Sequence, residues 1–284
     1  MDQNSPYAGS SIILTTKHSK SIAIAPAFLN VLSAKIIECV IDTDQLGTFS
    51  GEIERAGNAV DCAKMKCELG LRLQDSHYGL SSEGSFGPHP YIPFLPCDNE
   101  ILYFIDRKRG FTLYLSHLSE NTNYNMQFVS SMEELQQFSE KALFPSHALI
   151  VRPTSKEKNQ LFKGVNTADR LEAAFRESMK LSENGKVWVE TDMRADMNPS
   201  RMMVIQELAE MLAKRLSVLC PLCQSPGWGK VDIEKGLECS GCGIATELIK
   251  SEIYGCTKCD YKEESPPANR PLKADPANCS YCNP

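Results

Sequence analysis

Along residues 11–217, apolar positions switch between short continuous runs and stretches with helical spacing. SIILTT (11–16) predicts a short buried strand, and a helical stretch follows over 22–34. KIIECVI (35–41) predicts a second strand that runs into Asp42-Thr43-Asp44, and GTFSGEIER (47–55) reads as a loop. Val60, Ala63 and Cys67 recur at helical spacing before a stop at Gly70. YGLSS (78–82) predicts a third strand that delivers Glu83 into a constrained loop, EGSFGPHP. EILYFID and GFTLYLS, joined by Arg107-Lys108-Arg109-Gly110, predict a hairpin. Ser131-Met132-Glu133-Glu134 has the capping-box form, HALIVRP predicts a strand, and 167–181 a helix. KVWVETDMRA predicts a strand running into a loop. Asn198-Pro199 then caps a last helix with Met202, Ile205, Leu208, Leu212 and Leu216 on one face.

Strands alternating with helices predict an α/β fold over 1–217, with a mixed central sheet and flanking helices. Open α/β sheets bind ligands beyond the carboxyl ends of their strands. Unusual polar residues gather at such ends: Lys17-His18-Ser19-Lys20 after the first strand, Asp42 and Asp44 after the second, Glu83 after the third, and Glu190, Asp192 and Arg194 after a late one. The pattern leaves strand order open.

Apolar residues make up 42% of the chain and charged residues 23%, as in a soluble globular protein. The first residues lack a basic segment followed by an apolar core, and the apolar run over 22–41 is broken by Lys35 and Glu38. A cytoplasmic protein without a membrane span is expected. The net charge of −6 argues against a protein that grips nucleic acid through its phosphates.

Eight of the twelve cysteines change the picture, because they form four C-x-x-C pairs over 218–284: Cys220/Cys223, Cys239/Cys242, Cys256/Cys259 and Cys279/Cys282. A two-residue gap lets both thiolates face one tetrahedral ion, so the tail is expected to be a small zinc-ribbon module holding two structural Zn2+ ions. Sequential grouping of the pairs is the first expectation, with crossed grouping the alternative. The tail carries 7 Lys+Arg and 9 Asp+Glu. That acidic balance favours a protein partner over nucleic acid.

For the larger part, Lys17 and Lys20 are candidates for holding phosphates, and Glu83, with Asp44, for holding Mg2+. Asp42 and Glu52 are weaker metal candidates. His89, between two prolines, and His18 are candidate general bases or hydrogen-bond donors. Arg194 and Arg201 could clamp anionic oxygens. Structural readings compete with each: a solvated basic turn for the lysines, backbone capping for Glu83, and salt bridges to Glu190, Asp192 or Asp196 for the arginines. His77, His117 and His147 read as ordinary strand or loop residues.

TTKHSK, DTDQLGTFSGEIER, SSEGSFGPHP, ETDMRADMNPSRM and the CPLC…CSGCG…CNP tail together resemble an uncharacterised bacterial family of unknown function, over nearly the whole chain. The order Thr15-Thr16-Lys17-His18-Ser19-Lys20, Gly47-Thr48-Phe49, Ala63-Lys64, Glu83-Gly84, Pro199-Ser200-Arg201 is also similar to that of the inosine and xanthosine triphosphate pyrophosphatases. Lys17 stands where their first motif has Asn, and their closing S-H-R is only loosely echoed. This second resemblance, joined to the polar residues gathered at the strand ends, points to Mg2+-dependent cleavage of a nucleotide, with Lys20, Glu83, His89 and Arg201 in catalysis and Lys17, Asp44 and Arg194 in ligand or metal contact. The rival expectation is a noncatalytic adaptor that binds a protein partner or a small anion.

Overall fold

In a computed structural model, residues 5–41, 57–154, 161–268 and 271–284 are described. Ile12 and Leu14 point to one side of strand β1 (Ser11–Thr16) and Ile13 and Thr15 to the other, so β1 needs cover on both faces. Helix α1 (Ser21–Leu32) covers one face and leads to β2 (Lys35–Val40), parallel to β1. Helix α2 (Ala59–Leu73), capped by Asn58, covers the other face and leads to β3 (Tyr78–Pro88), also parallel to β1. A Cβ at Gly70 would lie 1.9 Å from Thr15 Oγ1, which is why α2 can lie so close to the sheet.

Strands β4 (Pro96–Asp106) and β5 (Phe111–Ser119) form the expected hairpin and complete a five-stranded sheet of order β2-β1-β3-β4-β5. The chain crosses from β1 to β2 on one side and reaches β3 on the other. The β1/β3 boundary is therefore a topological switch point, where open sheets leave a crevice beyond their carboxyl ends. Helix α5 (Pro199–Ser217) lies beside α1 and seals the same face.

The mixed α/β class predicted from the pattern is present, but its strands divide between two sheets instead of one. The second, of order β6-β9-β7-β8, consists of β6 (Met126–Val129), β7 (Leu149–Pro153), β8 (Phe162–Val165) and β9 (Val187–Thr191). It is antiparallel throughout and shares a core with α3 (Met132–Lys141) and α4 (Ala168–Leu181). The four-residue strands β6 and β8 are too short to show a period. Asn198 caps α5 as expected, accepting from the Arg201 amide at 3.0 Å, and joins the two sheets by donating to Asn123 Oδ1 at 2.8 Å.

EGSFGP is not a loop. The ladder between β3 and β4 runs unbroken from Tyr78↔Asp106 to Pro88↔Pro96. Among the described residues, no helix is long and apolar enough to cross a membrane.

The tail forms a three-stranded antiparallel sheet of β10 (Gly229–Lys235), β11 (Ile249–Gly255) and β12 (Lys262–Ser265). Arg215 on α5 donates to the carbonyls of Gly227 and Lys230 at 3.1 and 2.6 Å, which ties the tail to the end of the helix.

Candidate functional site

β3 outruns β1. Their pairing ends at Thr15↔Ser81, so Ser82 and the residues after it project past the end of β1. Alternation then sorts their side chains. Ser82, Gly84 and Phe86 share the face of Leu80, toward α1 and α5. Ser81 and Glu83 face α2, where Ser81 Oγ donates to the Ala63 carbonyl and Glu83 pairs with Lys66. The sheet thus separates Glu83 from Ser82.

On the α1/α5 side a buried polar network fills the end of the switch point. Lys20 ends the loop after β1, is 6% exposed, and donates to Ser82 Oγ at 3.1 Å. Ser82 Oγ lies 3.5 Å from Glu100 Oε2 on β4. Arg201, from the first turn of α5, donates from Nε to Glu100 Oε1 at 2.6 Å and from Nη1 to the Met193 carbonyl. Its guanidinium also sits 5.1 Å from the centre of the Phe86 ring. Gly84, directly across from Glu100, makes room: a Cβ there would lie 2.3 Å from Glu100 Oε1 and 2.5 Å from Arg201 Nη2.

Charges in this dry environment perturb one another. Burial, reinforced by Arg201, lowers the Lys20 ammonium to about 7, against the pull of Glu100. His18 Nδ1 lies 3.3 Å from Asp196 Oδ1, which links the first loop to the 3-10 turn Ala195–Met197. Burial lowers His18 to about 4; Lys20, Arg194 and Arg201 add to this and Asp196 opposes it. At neutral pH His18 is therefore uncharged.

Asp98 completes the group. It lies two residues from Glu100 on the same face of β4, is fully buried, and among the described residues neither of its carboxylate oxygens has a partner in hydrogen-bond geometry. Burial and the Glu100 carboxylate push it up to about 8, against Arg201 and Lys20. An unfolded aspartate ionises near 3.8, so between these values the folded chain holds a proton that the unfolded chain has lost. Stability from this group is fully present below the unfolded value and drains away as pH rises toward the folded one. Asp98→Asn removes the effect. Urea titrations at stepped pH should show the variant gaining on the wild type as pH rises from about 4 to about 8. A pH-independent difference would mean that Asp98 ionises as an ordinary aspartate.

The structure brings together only part of the predicted set. Lys20, Arg201 and His18 converge, with Arg194 within electrostatic reach of His18. Arg194 forms a forked pair with Asp192, at 2.9 Å from Nε to Oδ1 and 2.5 Å from Nη2 to Oδ2. Lys17 is exposed on the same loop. Glu83 lies across the sheet, near enough to Lys20 to act on its charge. His89 sits beyond the end of β3, where its Nδ1 accepts from the Tyr91 amide at 3.2 Å and its ring contacts that of Tyr91. It takes no part in the network among the described residues. Asp42, Asp44, Glu52 and Gly47-Thr48-Phe49 lie outside the described residues. Sequence reasoning missed Ser82, Asp98, Glu100 and Lys66. The signal for Glu100 was available: it shares strand phase with the buried Leu102 and Phe104, and a carboxylate in the inward phase needs a partner.

The cysteines form two tetrads, and their grouping is crossed. Cys220, Cys223, Cys256 and Cys259 make one, and Cys239, Cys242, Cys279 and Cys282 the other, with all sulfurs of each within 4.8 Å of one another. This corrects the sequential expectation. In an antiparallel pair the start of β10 lies beside the end of β11, as Gly229↔Gly255 shows. The knuckle before β10 therefore meets the knuckle after β11, leaving Cys239/Cys242, at the opposite end, for the returning Cys279/Cys282. Ala274 guides that return by bonding through its backbone to Glu238 and Ser240. Facing sulfurs are 3.8 and 3.5 Å apart in the first tetrad and 3.8 and 3.6 Å in the second. Tetrahedral Zn–S bonds of ~2.3 Å require sulfurs ~3.8 Å apart, so both tetrads fit a metal such as zinc.

No curated protein and no solved structure is detectably similar to this chain. A family model does match, over residues 66–284, a span that includes Lys66, Ser82, Glu83, Asp98, Glu100, Arg201 and all eight tail cysteines. The chain belongs to the family described as Domain of unknown function (DUF6671).

Proposed function

We propose that the crevice at the β1/β3 switch point binds and hydrolyses a small phosphorylated ligand, with nucleotides as the leading class. The observation that carries this reading is Lys20. It is a buried lysine, hydrogen-bonded to Ser82 and held near neutrality by burial and by Arg201. Phosphoryl chemistry asks a protein mainly for positioning and charge neutralisation, and both are stronger where water is excluded. Lys20, with the exposed Lys17 on the same loop, would meet the phosphate oxygens. Arg201 is 1% exposed and already held by Glu100, so its part is to brace the network. The similar motif order in the triphosphate pyrophosphatases supports the choice of nucleotides.

Mg2+ belongs to this reading as the counter-ion that such ligands carry. Glu83 and Asp44 are its expected holders, although Glu83 faces α2, across the sheet from Ser82. Lys66 occupies a carboxylate oxygen of Glu83, and Asp44 lies outside the described residues.

Standard and deaminated nucleoside triphosphates, assayed for phosphate and pyrophosphate release with Mg2+ or with chelator, test the proposal. Release is expected from at least one nucleotide. Lys20→Met should reduce kcat/KM about 100-fold or more, the usual effect of removing one group that meets developing charge. No release from any member of the panel would shift the reading to an adaptor. The observation that favours this second reading is the exposure of Leu222, Tyr281 and Leu272 on the tail at 67%, 71% and 90%, apolar surface that a protein partner would cover.

A further inference from the structure

We infer that Ser82 is a nucleophile and Lys20 its general base, so that hydrolysis at the switch point passes through a covalent phosphoseryl enzyme. The inference rests on the hydrolase reading of the same site and adds the attacking atom.

A serine becomes a useful nucleophile when a base sits within hydrogen-bond reach and a third group fixes the pair. Lys20 Nζ is 3.1 Å from Ser82 Oγ, and Glu100 Oε2 lies 3.5 Å from the same oxygen. Glu100 is itself locked by Arg201, which fixes its carboxylate. Ser82 and Lys20 are 4% and 6% exposed, so the pair is shielded from bulk water. The lysine comes from the loop after β1 and the serine from β3 just past its pairing with β1, which places the contact at the carboxyl end of β1. Lysine suits the role because burial shifts it toward its neutral form. Lys20 does shift that way, and the groups acting on it are Arg201, Lys66, Glu100 and Glu83.

In the first step neutral Lys20 takes the hydroxyl proton as Ser82 Oγ attacks phosphorus. The new bond is O–P, and the bond to the leaving oxygen breaks with its electron pair. In the second step water attacks phosphorus, the P–Oγ bond breaks with its electron pair going to Ser82 Oγ, Lys20 returns its proton to that oxygen, and the water's remaining proton leaves on the released phosphate. No oxidant, reductant or further co-reactant is needed.

A fluorophosphonate probe tests this without knowledge of the substrate, because its phosphorus loses fluoride to an activated serine. Intact-mass measurement should show one adduct per chain, and peptide mapping should place it on Ser82. Ser82→Ala should abolish it, and Lys20→Met should slow it at least ten-fold. Ser85→Ala, on the opposite face of β3, should label like the wild type. Circular-dichroism melts of each variant separate a lost nucleophile from a lost fold, and Ser82→Cys, alkylated by iodoacetamide faster than the four buried thiols outside the tail (Cys39, Cys62, Cys67, Cys97), gives a second readout. Absence of an adduct on Ser82 in the folded wild type overturns the dyad. An adduct forming equally fast in Lys20→Met overturns Lys20 as its base. Nucleotide release that depends on Lys20, with Ser82 never labelled, would leave the hydrolase reading standing and remove the covalent step. Labelling with no nucleotide or other phosphorylated ligand turned over would remove the hydrolase reading.

Discussion

Elemental analysis of the purified chain is expected to return two zinc ions, and the double substitution Cys220→Ser/Cys239→Ser is expected to return none. The crossed tetrads require this, since Cys220 and Cys239 belong to different metal centres. Cys220→Ser/Cys256→Ser disables a single centre twice and should retain one ion. Sequential grouping predicts the reverse: one ion kept in the first double variant and none in the second. The effect on folding should be large, because structural zinc contributes about 10–16 kcal/mol of apparent binding free energy to small modules. Little else holds this tail together. Most of β10 is exposed, and the tail buries three of its cysteines with small side chains such as Ser225, Thr246, Ser251 and Ala274. Losing the first centre should also release the tail from α5 and β5, since a Cβ on Gly227 would touch both Thr257, inside the first tetrad, and Leu113 of β5. Protease should then cut after Ser217 while the two α/β sheets stay folded. Two retained ions in Cys220→Ser/Cys239→Ser would refute the assignment of these thiolates.

Arg201→Ala is expected to destabilise the folded chain by about 3–5 kcal/mol, the usual consequence of stranding one member of a buried ion pair. Glu100 is fully buried, and Arg201 is its closest cation. Without the guanidinium, Glu100 must take up a proton or remain charged beside Asp98, which burial already keeps protonated. Gly84→Ala should disturb the same pair from the other side. The new methyl would press on Glu100 Oε1 and Arg201 Nη2, and neither end can swing freely while Met193 and Phe86 hold the arginine. Replacing both charges, as in Glu100→Leu/Arg201→Met, should recover much of the loss, because two apolar groups of similar size leave no charge behind. Urea denaturation of the four proteins decides the matter. A loss below about 1 kcal/mol in Arg201→Ala would place the pair in the range of solvent-exposed bridges.

The sequence by itself determined the local elements and the metal chemistry. The first strand, the α1 region, the β4/β5 hairpin and the caps at Ser131 and Asn198 were legible because each depends on side-chain period or on a hydrogen bond a few residues long. Four C-x-x-C pairs announced two four-sulfur centres for the same reason: a knuckle is a local turn. What tertiary structure alone decided was which distant pieces meet. Gly and Pro in EGSFGPHP suggested a loop, yet the segment is strand, and Gly84 is small because Glu100 and Arg201 come from β4 and α5 to fill the space across from it. Glu83 and Ser82 are neighbours in the chain but lie on opposite faces of the sheet, so only strand phase, anchored by the packing of α1, α2 and α5, brings Ser82 to Lys20 and Glu83 to Lys66. Cysteine grouping followed the antiparallel pairing of β10 with β11, which joins ends that the chain keeps far apart. Period and capping are written in neighbouring residues. Strand order, register and ligand grouping arise from burial and hydrogen bonding between segments, and those exist only once the chain has folded.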